Sequence, residues 1–234
     1  MLKGFMHWQM CWLAIVCALF LAACSSHLRI IDQPIPFSPQ RIQMTRDYIE
    51  QHYGLVVSDI AITPRIIVLH WTAIGDFAGS YRAFTPELLP SSRPELRSPG
   101  EVNVSIQFLV DKDGKAYRLM PETWMARHCI GLNYESLGVE NVGGEAGVDN
   151  LTKAQLAANV RLVRDLVKKY PSIAYLIGHH EYQAFEGHSL WREKDESYRT
   201  TKTDPGERFM RAVRAAVREL HLKGVKEIVE ERRR

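Results

Sequence analysis

The sequence predicts an α/β domain in which helices flank a central mixed β-sheet. Three observations carry this. Segments with helical spacing alternate along the chain with short apolar runs of strand length. Two of those runs, "IIVLH" ending at His70 and "YLIGH" ending at His179, are continuous and apolar, the mark of strands buried on both faces. A third segment, "VNVSIQFLVDKDGKAYRLM", reads as a hairpin around the Asp113-Gly114 turn.

Taken in order, residues 1–23 are a secretory signal: Lys3, an apolar run from Cys11 to Leu21, then small residues. The run falls short of the roughly 20 residues that would span a bilayer, which counts against the alternative of an uncleaved transmembrane helix. Residues 24–41 carry three prolines and no periodicity, so they read as a tether, and the domain is expected over 42–234. "IQMTRDYIEQHYG" predicts a helix ending at Gly54, "DFAGSYRAF" a short helix, and "LGVENVG" a short strand running into glycines. Residues 152–170 form a helix with a capping box at Thr152 and Gln155 and a stop at Pro171. A final helix, "PGERFMRAVRAAVREL", places Phe209, Met210, Val213, Ala216 and Val217 on one face.

Composition, 46% hydrophobic and 24% charged, suits one globular domain. Net charge is +3, or +2 once Lys3 leaves with the signal, which demands no nucleic acid partner. Of four cysteines, Cys11 and Cys17 leave with the signal and Cys24 ends it. Cys129 then stands alone, and the mature chain has no disulfide framework.

His70 and His179 each end a buried strand, where α/β sheets collect ligands and catalytic groups. Two imidazoles and a carboxylate with a fourth position open make a catalytic zinc environment. Asp204 is a candidate carboxylate. It is equally a candidate helix cap, since Pro205 follows and Glu207 stands three residues on, and the two roles can coexist. Cys129 beside His128 also suggests a cysteine hydrolase, against a plainer reading of Cys129 as an inert small residue.

The set "VLHWT", "VNVSIQFLVDKDGKAYRLMPE", "LGVENVG", "LIGHHE" and "KTDPGERF" resembles the type-2 N-acetylmuramoyl-L-alanine amidases, whose fold is shared with peptidoglycan recognition proteins. The resemblance runs from about residue 60 to about 215. It implies zinc held by His70, His179 and Asp204, with Glu140 as general base and Lys202 stabilising the oxyanion. The bond cut would be the amide joining N-acetylmuramic acid to L-alanine in peptidoglycan or its fragments. His128, matching the histidine of a common Trp-His-Ala-Gly, and Trp191 are candidate substrate contacts, and His180 is expected to pack or support a ligand. Leu21-Ala22-Ala23-Cys24 resembles a lipobox, which implies lipid on Cys24 and, with Ser25 next, a monomer anchored in the outer membrane and facing the periplasm. Three features depart from the family pattern: Gln107 replaces a histidine in its Ser-x-His, residues 182–201 form an insertion that is either a flap over the cleft or a surface loop, and "ARHCIG" replaces Trp-His-Ala-Gly, keeping His128 but placing Cys129 beside it. The alternatives are a non-catalytic peptidoglycan-binding lipoprotein and another zinc amidohydrolase.

Overall fold

The computed structural model describes residues 28–91 and 100–233, so the expected signal segment and Cys24 lie outside the described residues. One six-stranded sheet runs through the domain, built from β1 (Ile30–Asp32), β2 (Ile66–Leu69), β3 (Phe108–Val110), β4 (Ala116–Arg118), β5 (Ser136–Asn141) and β6 (Tyr175–Gly178). Its spatial order is β1-β4-β3-β5-β2-β6. All neighbours are parallel except the β3–β4 hairpin, so the sheet is mixed as expected.

The central strand β2 shows why its sequence is continuously apolar. Ile67 and Leu69 enter one core cluster with Val139, Leu162, Phe209 and Val213, while Ile66 and Val68 enter another with Ile177, Tyr182 and Phe185. Both faces of the strand are therefore covered, and alternation turns His70, the next residue, toward the second face.

Helices α1 (Pro39–Tyr53), α2 (Phe77–Phe84), α3 (Lys153–Lys169), α4 (Glu207–Ala216) and α5 (Val225–Arg232) surround the sheet. The Thr152–Gln155 capping box is present at the start of α3. Among the described residues no helix is long and apolar enough to cross a membrane.

Two features differ from the sequence expectation. Residues 30–41, expected as tether, belong to the domain: β1 pairs in parallel with β4, and α1 begins at Pro39 behind a Ser38 cap. The insertion is no free flap. Phe185, Leu190 and Tyr198 are buried in the second cluster, His52 Nδ1 lies 2.9 Å from the Glu193 carboxylate, and Arg192 donates to Glu135 at 2.7 Å. The outer edge of β6 is partly covered, because the Leu176 amide donates to the Lys223 carbonyl and the Lys223 amide to the Ala174 carbonyl. Ile228 of α5 is fully buried beside that edge in the second cluster.

Candidate metal centre and its cleft

Sheet register assembles the site. Leu69 pairs with Val139 of β5 and with Gly178 of β6, so one step further along these parallel strands Glu140, His70 and His179 fall on a single row. Hydrogen bonds from the His70 amide to Val139 (2.8 Å) and from the Asn141 amide to His70 (3.1 Å) extend the ladder to that row. In-register neighbours project to the same face, which brings three distant sequence segments to one cleft.

Asp204 arrives from the loop before α4. Its Oδ2 lies 3.3 Å from His70 Nδ1 and 3.1 Å from His179 Nδ1. Among the described residues these three are the group of His, Cys, Asp or Glu side chains whose donor atoms converge, all within 4.8 Å of one another. His180 fixes the carboxylate's backbone, since its amide and its ring Nδ1 both bond the Asp204 carbonyl, at 2.9 and 2.8 Å. The histidine beside His179 thus holds the backbone of Asp204 in place.

Asp204 does not cap α4. The helix begins after Gly206, at Glu207, and its third amide, that of Phe209, donates instead to Asp149 Oδ2 at 3.1 Å. Gly206 has φ 87°, and a Cβ there would stand 2.7 Å from Asp149 Oδ2, so glycine both makes the turn and admits the distant carboxylate. With its cap role gone, Asp204 is available as a ligand.

Electrostatics favour a cation. Burial holds the His179 ring down to about 4, so it is neutral at ordinary pH. Burial pushes the Asp204 carboxyl up, but the His179 and His70 rings outweigh it and hold the group well below the usual carboxylate range. Two imidazoles facing one carboxylate, all three buried, form a donor set that suits zinc.

The cleft over this centre has a volume of about 550 Å³, and Glu140, Lys202, His128, Tyr48, Arg127 and Tyr198 all line it. Lys202, featureless in the sequence, is half-buried on the wall. His128 accepts or donates at His70 Nε2, 3.0 Å away, and reaches Ser136 Oγ at 3.2 Å. Trp191 does not line the cleft. It stacks on Tyr182 with ring centroids 6.1 Å apart and carries the Arg199 guanidinium on its other contact at 4.8 Å.

Two further sequence readings meet the structure here. Cys129 is buried, and burial pushes its thiol far above the ordinary range, which removes the thiolate that a cysteine hydrolase needs. Gln107 lies fully buried, accepts the Gly138 amide and donates to the Trp124 carbonyl, so the family departure alters the sheet's interior and not the cleft wall. Tyr48, Arg127 and Asn133 were not legible as cleft residues, because nothing in their local sequence distinguishes them from core and surface positions.

Residues 61–207, more than half of the chain, match the family described as N-acetylmuramoyl-L-alanine amidase. The chain belongs to that family. Peptidoglycan-recognition protein SC2 of Drosophila simulans is 27% identical over 130 residues, spanning 54% of this chain and 70% of its own length. Among solved structures, the amidase LysC from Clostridium intestinale URNW superposes with a TM-score of 0.50 at 20% identity, over 83% of this chain and 99% of that one. Peptidoglycan recognition protein-LE in complex with tracheal cytotoxin, a monomeric diaminopimelic acid-type peptidoglycan, gives 0.50 at 18% identity, over 85% and 98%. Amidase and recognition protein share this fold, so the fold alone does not choose between them.

Proposed function

We propose that this protein is a zinc-dependent N-acetylmuramoyl-L-alanine amidase, hydrolysing the amide between N-acetylmuramic acid and L-alanine in peptidoglycan or its fragments. The observation that carries the reading is the converged His70–His179–Asp204 set opening into the cleft that Glu140 and Lys202 also line. A binding module needs neither the metal ligands nor a base and a cation beside them. The solved recognition protein bound to monomeric peptidoglycan supports a muropeptide as the ligand of this fold.

Zinc held by the three ligands would polarise the scissile carbonyl and acidify a water. The remaining chemistry belongs to the chain. Glu140, set on β5 in the same row as His70, takes the proton of the attacking water and passes it to the departing amine of L-alanine. Lys202 on the opposite loop stabilises negative charge as it develops on the carbonyl oxygen. His180 and the strand ladder hold the ligands in place, so little reorganisation accompanies the reaction.

Location follows from the leader: lipid on Cys24 would hold a monomeric enzyme at the periplasmic face of the outer membrane, beside the murein. Five residues, 25–29, would separate that anchor from β1, a reach of roughly 17 Å at full extension.

The test is zinc content and muropeptide release for the wild-type chain beside Asp204→Asn. Wild type should bind one zinc per chain and free stem peptides that begin at L-alanine, and the variant should lose both. Stem-peptide release by a zinc-free wild type, or an active Asp204→Asn enzyme, would refute the proposal.

A further inference from the structure

We propose that His128 and Ser136 are a positioning pair that sets the tautomer of His70, so that zinc affinity depends on a hydrogen bond delivered to the Leu132 carbonyl. This inference rests on the zinc reading above.

The Leu132 carbonyl, which also accepts the Glu135 amide at 2.9 Å, sets the direction of the hydrogen bonds that lead to His70. A carbonyl oxygen only accepts, so Ser136 Oγ, 2.7 Å from the Leu132 oxygen, donates its single hydrogen there. Toward His128 Nε2, 3.2 Å away, the same oxygen can then only accept, which places the His128 proton on Nε2. A neutral imidazole carries one N–H, so His128 Nδ1 is an acceptor, and His70 Nε2 at 3.0 Å must donate to it. His70 Nδ1 is left with a lone pair, aimed at the point where Asp204 Oδ2 and His179 Nδ1 converge. That is the form a metal requires.

The reverse arrangement is the competitor. Asp204 attracts a proton to His70 Nδ1. His70 Nε2 would then accept from His128 Nδ1–H, His128 Nε2 from Ser136, and Leu132 would lose its bond from Ser136. The two ends of the chain pull in opposite directions, and the Ser136–Leu132 bond weights the balance toward the metal-ready form.

The strand is built for this. Ser136, Gly138 and Glu140 occupy alternate positions of β5 and share a face. Ser136 bonds the His128 ring, Glu140 reaches the cleft, and between them Gly138 leaves room: a Cβ there would stand 2.9 Å from both Cγ and Nδ1 of His128. The His128 amide is pinned to Asn133 Oδ1 at 2.8 Å, and its ring meets His70 edge-on at 81°. A ring engaged at both nitrogens on a backbone pinned at its amide suits a support better than a substrate contact.

The experiment is a chelator competition for zinc with the full chain in detergent, comparing wild type with Ser136→Ala, His128→Leu and His128→Gln. Glutamine keeps an acceptor and a donor at nearly the spacing of the two ring nitrogens. Ser136→Ala should weaken zinc about tenfold and His128→Leu roughly ten- to a hundredfold, while His128→Gln stays within about threefold of wild type. Histidine ¹⁵N spectra supply a reading that loss of packing would not imitate: His128 protonated on Nε2 in wild type, and a mixture with the Nδ1–H form in Ser136→Ala. Wild-type zinc affinity in both Ser136→Ala and His128→Leu overturns the proposal while leaving the amidase reading intact. A wild-type chain that binds no zinc overturns both.

Discussion

Removing the Asp149 carboxylate should destabilise the domain without touching its chemistry. Asp149 Oδ2 accepts the Phe209 amide at 3.1 Å, which serves α4 as a cap supplied from outside the helix, and Oδ1 accepts Arg208 at 2.7 Å. The cap is worth about 1 kcal/mol. The ion pair adds less, about 0.5 kcal/mol, because the Arg208 side chain is 56% exposed and screened by solvent. Asp149→Ala should therefore lose about 1.5 kcal/mol, a drop in Tm of about 3–6 °C for a domain of this size. The assay is thermal and urea unfolding of wild type, Asp149→Ala and Asp204→Asn, each in chelator so that metal linkage does not enter, with zinc content measured separately. Asp149→Ala should melt early and keep zinc. If instead it melts with wild type, and Asp204→Asn keeps zinc but loses the 1–2 kcal/mol of a cap, the assignment of the two aspartates is inverted and the ligand set falls with it.

Other consequences concern the cleft and its surroundings. Glu140→Gln should lower kcat about 10²- to 10⁴-fold and Lys202→Met about 10²- to 10³-fold, both with zinc unchanged; turnover near wild type in either variant removes that residue from the mechanism. Trp191→Ala should cost about 2–3 kcal/mol of stability, less than the 3–5 of a fully buried tryptophan, and leave KM for muropeptides unchanged, whereas a raised KM would return Trp191 to the substrate. In the metal-free domain, His179 is held by burial at about 4 and His128 is likewise lowered. The unfolded chain therefore takes up protons first. Stability from His179 is fully present above about pH 6.5 and lost toward about pH 4, amounting to about 3 kcal/mol across that window. Urea unfolding over this range should show the loss, and His179→Gln should flatten it; an identical slope in the variant would refute the attribution.

What the sequence disclosed was what local chemistry determines. The runs ending in His70 and His179 are legible because a strand covered on both faces must be apolar throughout, and the Thr152–Gln155 box because its partners stand three residues apart. The misreadings are non-local. β1 is only three residues, followed closely by Pro34 and Pro36, and its partner Ala116 lies far along the chain. The Asp204-Pro205-Gly206-Glu207 string satisfies every local rule for a helix start, yet the capping carboxylate comes from Asp149 across the fold. The insertion looks like loop because Phe185, Leu190 and Tyr198 follow neither period, although all three are core. The ligand set came through the family resemblance. Register supplies its physical reason, since the row joining Glu140, His70 and His179 cannot be read from any one segment.

The covered edge of β6 bears on how the chain can be shortened. The family match ends at residue 207, but the strand that delivers His179 is hydrogen-bonded on its outer side by Lys223, and the cluster beneath it is closed by Ile228. A chain trimmed to the family boundary would keep every proposed catalytic residue and expose a row of unsatisfied amides and carbonyls next to apolar surface. Such an edge recruits strands from other molecules. The trimmed protein should therefore fail by aggregating, and an inactive preparation of it would say nothing about the chemistry of the cleft.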